Sequence, residues 1–277
     1  MPIVNVGTDG RTPVDLYYED HGEGRPVVLI HGWPLSNRSW EAQIGPLVDA
    51  GHRVVAYDRR GFGWSSQPFN GYEYDTLAAD LAALIDHLDL RDITLVGFSM
   101  GGGEVARYIG THGTGRVRQA VFAAAIPPAL KKTADNPDGG VTDELLGQFQ
   151  TGVRADRASF LDGFMTNFFS AGGELKVSEP QRRYALDIAA WASPKATHDC
   201  IAAWGTDFRA DLERCDVPVL VIHGDSDAIV PLEVSGARTA ELVPGARLAV
   251  IEGGPHGINA SHAERFNREL LAFLAEG

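Results

Sequence analysis

The stretch Leu95-Val96-Gly97-Phe98-Ser99-Met100-Gly101-Gly102-Gly103 decides the fold. It reads as the end of a strand, a sharp turn and the start of a helix, and it contains the pattern G-x-S-x-G. A serine on such a turn is held in strained backbone geometry with its Oγ exposed. Gly97 and Gly101 are small because strand and helix must pack closely there. The helix start behind Ser99 adds positive potential where an oxyanion would form. G-x-S-x-G also occurs by chance in glycine-rich structural turns. The strand–turn–helix setting is what makes Ser99 a candidate nucleophile.

Working outward, Val27–Ile30, Ile93–Val96 and Val219–Ile222 are short continuous apolar runs. Such runs suit strands buried on both faces of a parallel sheet. Ile3–Val6 and Val14–Glu19 alternate instead, as a more exposed edge would. Between them, Leu77, Leu81, Leu84, Ile85 and Leu88 follow a helical spacing, with Asp75 as the expected N-cap. Residues 101–109 and 263–274 also read as helix. Strands alternating with helices imply an α/β sheet with right-handed crossovers. The alternation breaks between Pro127 and Phe208. This stretch opens on Pro127-Pro128 and the turn-rich Asn136-Pro137-Asp138-Gly139-Gly140, then carries helical patterns rich in aromatics. It is expected to be a helical lid at 127–208, inserted between two parts of one core, 1–126 and 209–277.

Composition agrees with an ordinary globular protein. Of 277 residues, 44% are hydrophobic and 22% charged, enough apolar material for a sizeable core and incompatible with disorder, collagen or a disulfide-stapled miniprotein. A net charge of −13 repels nucleic acid and anionic membrane surfaces. The N-terminus lacks the basic and apolar regions of a signal peptide. No apolar run approaches the roughly 18 residues of a spanning helix. A cytoplasmic location is therefore expected, with Cys200 and Cys215 as thiols. The chain carries 32 glycines, above average usage, and many fall in the loops discussed next.

A serine nucleophile needs a base, and the base an orienting acid. Among nine histidines, His31 and His223 each end a strand just before glycine and suit a bracing role. His256 lies in Glu252-Gly253-Gly254-Pro255-His256-Gly257, a rigid loop late in the chain, and fits the order Ser, Asp, His. The acid should follow the strand ending at His223. There Asp225 and Asp227 both qualify. Asp225 sits in the turn and suits capping of backbone N–H groups, whereas Asp227 lies further out, towards another loop.

At this point the sequence resembles the cofactor-free haloperoxidases (perhydrolases) and the related bacterial aryl esterases of the α/β-hydrolase fold. The resemblance rests on His31-Gly32-Trp33-Pro34-Leu35-Ser36, on Tyr57-Asp58-Arg59-Arg60-Gly61-Phe62-Gly63-Trp64-Ser65 and on Gly97 to Tyr108. It also rests on Thr206-Asp207-Phe208-Arg209, His223-Gly224-Asp225 and Pro255-His256-Gly257, and so spans nearly the whole chain. It implies a triad of Ser99, Asp227 and His256, with oxyanion donors at the backbone N–H groups of Trp33 and Met100. It further implies acyl and alcohol pockets lined by Phe160, Phe164 and Ile229, with Trp33 and Pro34 also expected at the substrate pocket, no cofactor and no metal, and a homo-oligomer.

The expected chemistry is acyl transfer on small carboxylic esters, with water or hydrogen peroxide as acceptor. Peroxide would yield a peracid, which in this family oxidises halides without metal or haem. Pro34 restricts the backbone of Trp33 and is expected to turn the Trp33 carbonyl towards bound peroxide; ordinary loop rigidity is the alternative. A lactonase or carbon–carbon bond hydrolase would use the same triad. A non-catalytic binding protein on this scaffold would normally have lost a triad member. Epoxide hydrolases and dehalogenases of related fold use an aspartate nucleophile, unlike Ser99.

Overall fold

A computed structural model describes residues 2–276. Its strands and helices in chain order are β1 (Ile3–Asp9), β2 (Thr12–His21), β3 (Arg25–Ile30), α1 (Glu41–Asp49), β4 (His52–Tyr57), α2 (Tyr74–His87), β5 (Ile93–Phe98), α3 (Met100–His112) and β6 (Val117–Ala123). There follow α4 (Asp143–Ala155), α5 (Arg157–Phe168), the two-residue strands β7 (Ser170–Ala171) and β8 (Glu174–Leu175), α6 (Glu179–Ala190), α7 (Pro194–Ala203) and α8 (Arg209–Leu212). The chain closes with β9 (Val219–Gly224), α9 (Gly236–Leu242), β10 (Arg247–Ile251), α10 (Ile258–Ser261) and α11 (Ala263–Ala275).

Eight strands form one sheet in the order β1-β2-β4-β3-β5-β6-β9-β10. The pairs β1/β2 and β2/β4 are antiparallel and the rest parallel. The continuous apolar runs are the central strands: every residue of β5 and β9 is buried, as a sheet covered on both faces requires. The alternating N-terminal segments form the antiparallel edge. Helix α1 packs with α10 and α11, while α3 packs with α2 and α8. These two helical groups supply the apolar faces that cover the sheet.

Two local expectations shift. Helix α2 begins at Tyr74, so Asp75 lies inside its first turn and Glu73 precedes it. Asp75 instead pairs with Arg107 of α3, an interaction between elements that outcompetes local capping. Between β6 and β9 the chain contributes no strand to the main sheet. Helices α4 to α7 fill that interval, α4 packing on α5 and α7, and α5 on α6. Thr142, Asp156, Ser178 and Ser193 cap these four helices by accepting a backbone N–H three residues on, which fixes where each begins.

The register brings the strand ends together. Ile30 of β3 lies opposite Gly97 of β5, Phe98 opposite Ala123 of β6, and Ile251 of β10 opposite Gly224 of β9. The loops after β3, β5, β9 and β10 therefore leave the same edge of the parallel sheet, where α/β proteins place their sites.

Candidate active site

Ser99 joins β5 to α3 with φ 54° and ψ −118°. Such a backbone costs a non-glycine residue about 1–3 kcal/mol and persists only where its surroundings hold it. They do so here. The Ser99 N–H donates to the Ala123 carbonyl at 2.9 Å, and the Ser99 carbonyl accepts from the N–H groups of Gly102 (3.0 Å) and Ile126 (3.3 Å). A side chain at Gly97 would meet the Gly101 carbonyl at 2.5 Å, so the tight strand-to-helix crossing requires glycine there.

From Ser99 a line of hydrogen bonds runs inwards. Ser99 Oγ is 2.9 Å from His256 Nε2, and His256 Nδ1 is 2.7 Å from Asp227 Oδ2. All three side chains are buried. Phe98 and Phe168 flank the imidazole, their ring centroids 5.2 and 4.9 Å away, which fixes its plane. The Gly257 N–H donates to the Phe168 carbonyl at 2.9 Å, anchoring the histidine loop to the end of α5.

The acid is satisfied from three sides. Asp227 Oδ1 accepts from the N–H groups of Ile229 (2.9 Å) and Val230 (2.8 Å). Its Oδ2 faces His256 and lies 3.3 Å from His223 Nε2. Burial pushes this carboxyl up, but the charge of His256 and hydrogen bonds from His223 and His256 outweigh it and hold the group below the usual carboxylate range. His223 Nε2 also lies 2.8 Å from the Val230 carbonyl. A carbonyl only accepts, so Nε2 carries the proton and donates to the Val230 carbonyl, with the Asp227 carboxylate beside it. The brace expected at His223 is thus a direct contact with the acid. Asp225 takes the other role: its Oδ1 accepts from the Gly253 N–H at 2.8 Å and ties the β9 loop to the histidine loop.

Trp33 lies in the loop after β3, and Met100 directly follows Ser99. Met100 is the first residue of α3, where helical N–H groups lack intrahelical acceptors. Among the described residues, neither the Trp33 nor the Met100 N–H has a protein acceptor. The Trp33 indole N–H donates to the Thr197 carbonyl of α7 at 3.1 Å, and its ring meets Phe164 and Trp204 edge-on, each at 4.9 Å. The loop after β3 is thereby pinned to the helices above it.

A cavity of about 250 Å³, partly open to solvent, reaches Ser99. Its walls include Trp33, Ile126, Phe149, Phe164, Trp204 and Ile229, with Asn167 as a side-chain amide among them. Of the expected pocket residues, Trp33, Phe164 and Ile229 are on the wall. Phe160 is behind it, stacked 6.4 Å from Phe164 and edge-on to Phe149 at 5.9 Å. Pro34 is buried, follows a cis peptide bond and is not on the wall. Sequence reasoning missed Asn167 and Trp204. Asn167 was findable from Phe164 alone, since residues 164 and 167 are i,i+3 neighbours on one face of α5. A wider cleft of about 500 Å³ lies elsewhere, beside Arg38 and Tyr184, and does not reach Ser99.

Among the described residues, no group of three or more His, Cys, Asp or Glu side chains is arranged to hold a metal ion. Likewise, no helix is long and apolar enough to cross a membrane. Both cysteines are buried free thiols.

Comparison with known proteins fits this geometry. The α/β hydrolase fold family matches residues 25–263. A non-heme chloroperoxidase of Kitasatospora aureofaciens is 46% identical, with 99% of each chain covered. A bifunctional esterase/perhydrolase of Acinetobacter calcoaceticus is 40% identical over 94% of this chain and 96% of its own. The crystal structure of a bromoperoxidase from Bacillus anthracis superposes with a TM-score of 0.96 at 56% identity, over 99% of both chains. With Ser99, His256 and Asp227 in one line and relatives this near along the whole chain, the protein belongs to the α/β hydrolase family, in its branch of non-heme haloperoxidases and related esterases.

Proposed function

We propose that this protein is a serine hydrolase of small carboxylic esters that also transfers the acyl group to hydrogen peroxide. The observation that carries this reading is the hydrogen-bonded line Ser99–His256–Asp227 at the floor of an apolar cavity. His256 takes the Ser99 proton as Oγ attacks the ester carbonyl. Asp227 holds the imidazole with Nδ1–H towards itself and stabilises the imidazolium. The N–H groups of Trp33 and Met100 receive the developing oxyanion, each worth about 10²–10³ in rate. The tetrahedral adduct collapses, the alcohol leaves with the proton from His256, and an acyl-Ser99 remains.

His256 then deprotonates the acceptor. Water gives the carboxylic acid; hydrogen peroxide gives the peracid. Starting from the acid itself, acylation releases water, so the sum is acid plus peroxide to peracid plus water. The peracid oxidises a halide ion with uptake of one proton, returning the carboxylic acid and hypohalous acid. The protein's own residues need only run acyl transfer.

The lid at 127–208, between core segments 1–126 and 209–277, sets substrate size in this reading. A cytoplasmic location and a homo-oligomer belong to the same proposal. Exposed Trp64 (53%), Phe69 (67%) and Trp191 (61%) support self-association, which sedimentation velocity tests: a monomer at micromolar concentration would contradict it.

The decisive assay is p-nitrophenyl acetate turnover, together with peracetic acid formation from acetate and hydrogen peroxide. Ser99→Ala is expected to lower both by at least about 10⁴-fold. Retention of either activity would contradict the reading. Pro34→Leu is expected to lower the perhydrolysis-to-hydrolysis ratio; an unchanged ratio removes the peroxide role of this loop.

A further inference from the structure

Beneath the site lies a buried charge cluster that acyl transfer does not use directly. Arg59, after β4, and Glu104, on α3, form an ion pair in which both side chains are essentially inaccessible. Arg59 Nε donates to Glu104 Oε1, and the Tyr57 hydroxyl donates to Glu104 Oε2 at 2.6 Å. The guanidinium also stands over the Phe62 ring, 5.5 Å from its centroid. Burying such a pair is weak evidence for stability, because desolvation offsets the Coulombic gain. Burial indeed pushes the Glu104 carboxyl above its usual range, against the pull of Arg59. The cluster therefore calls for another explanation.

Its connections supply one. Arg59 Nη2 donates to the His31 carbonyl at 2.6 Å, and the Arg59 backbone N–H donates to His31 Nε2 at 3.0 Å. His31 Nε2 is then an acceptor, so Nδ1 carries the ring proton and donates to the Gly32 carbonyl at 2.8 Å. The Leu35 N–H donates to the same carbonyl at 3.0 Å. The Gly32 carbonyl and the Trp33 N–H belong to one planar peptide group. Fixing the carbonyl on one side aims the N–H out of the other. The second donor, Met100 N–H, starts the helix that carries Glu104 one turn later.

We infer that Arg59, locked by Glu104, is a positioning residue of the oxyanion hole, holding the Trp33 N–H in register with the Met100 N–H. One guanidinium clasps the loop that bears one donor to the helix that bears the other. The inference rests on the acyl-transfer reading above. Lysine cannot substitute, because a single ammonium lacks the fork that reaches Glu104 and the His31 carbonyl together.

The test measures kcat and KM for p-nitrophenyl acetate, inhibition by phenylboronic acid, and thermal unfolding. Phenylboronic acid adds to Ser99 as a tetrahedral anion and so reports on the hole. Two variants are compared with the wild type. Arg59→Lys keeps the charge pair, while Tyr57→Phe/Arg59→Met/Glu104→Leu replaces the whole cluster by apolar groups of similar volume, an exchange that buried ion clusters often tolerate. In both, kcat is expected to fall about 10- to 100-fold with KM within about threefold, because misplaced donors weaken only transition-state binding. The boronic acid inhibition constant is expected to rise by a similar factor. Wild-type kcat and boronate affinity in a folded variant would overturn the inference, as would a loss of kcat that merely follows the unfolded fraction. A wild type that does not hydrolyse the ester would instead overturn the acyl-transfer reading itself, so the two failures are distinguishable.

Discussion

Asp225 and Asp227 are two residues apart, yet their carboxylates do different work. Asp227 Oδ2 meets His256 Nδ1, while Asp225 Oδ1 meets the Gly253 N–H. Spacing alone left both open, since it does not say where the chain turns after β9. Asp227→Asn is expected to lower kcat for p-nitrophenyl acetate by about 10⁴-fold, because an amide at that site misorients the imidazole tautomer. Asp225→Asn is expected to cost less than about tenfold, through loosening of the histidine loop. Equal losses would contradict the assignment. Ser99 and His256 were legible because each sits in a short glycine-bounded motif. The contact of His223 with Asp227 was not, because it depends on how the loop after β9 folds back over four residues. Phe160 is off the cavity wall because packing between α4 and α5 turns it onto Phe149 and Phe164, which the spacing along one helix does not determine.

At the scale of elements, buried apolar runs revealed the parallel strands, and alternation revealed the antiparallel edge. The start of α2 was less legible, because an ion pair between helices took Asp75 away from a local cap. The loop after β4 gives sharper tests. Gly63 has φ +50°, and a side chain there would run into the Asp58 carboxylate. Gly63→Ala is expected to destabilise the protein by at least about 2 kcal/mol, seen as a fall in Tm. An unchanged Tm would contradict this. Asp58 itself accepts from the N–H groups of Asn37 (2.7 Å) and Trp64 (2.8 Å). Burial nevertheless raises its carboxyl to about 6, with those two N–H groups opposing. A folded value above the unfolded one, near 3.9, favours folding below about pH 4. That contribution is lost as pH rises towards about 6. The stability of the wild type relative to Asp58→Asn is therefore expected to decline across this window in chemical denaturation. A difference that is flat with pH would show that the Asp58 carboxyl titrates alike in the folded and unfolded states.

For the whole molecule, the helices between β6 and β9 close the cavity over Ser99 to about 250 Å³. An acyl chain must fit that space alongside Trp33, Phe164 and Ile229. The value of kcat/KM is expected to fall steeply from p-nitrophenyl acetate and butyrate to the octanoate. Leu145→Ala, which removes bulk from the wall, is expected to raise the octanoate-to-acetate ratio about tenfold. A wild type that prefers long chains would contradict the size argument. The central claim, however, is a single covalent intermediate shared by hydrolysis and perhydrolysis. Rapid-quench peptide mass spectrometry during p-nitrophenyl acetate turnover tests it most directly. The expected result is one acetyl group on the peptide containing Ser99, which decays faster when hydrogen peroxide is added and yields peracetic acid in step. An acetyl group on another residue, or peracid formed with no acyl-Ser99, would contradict it.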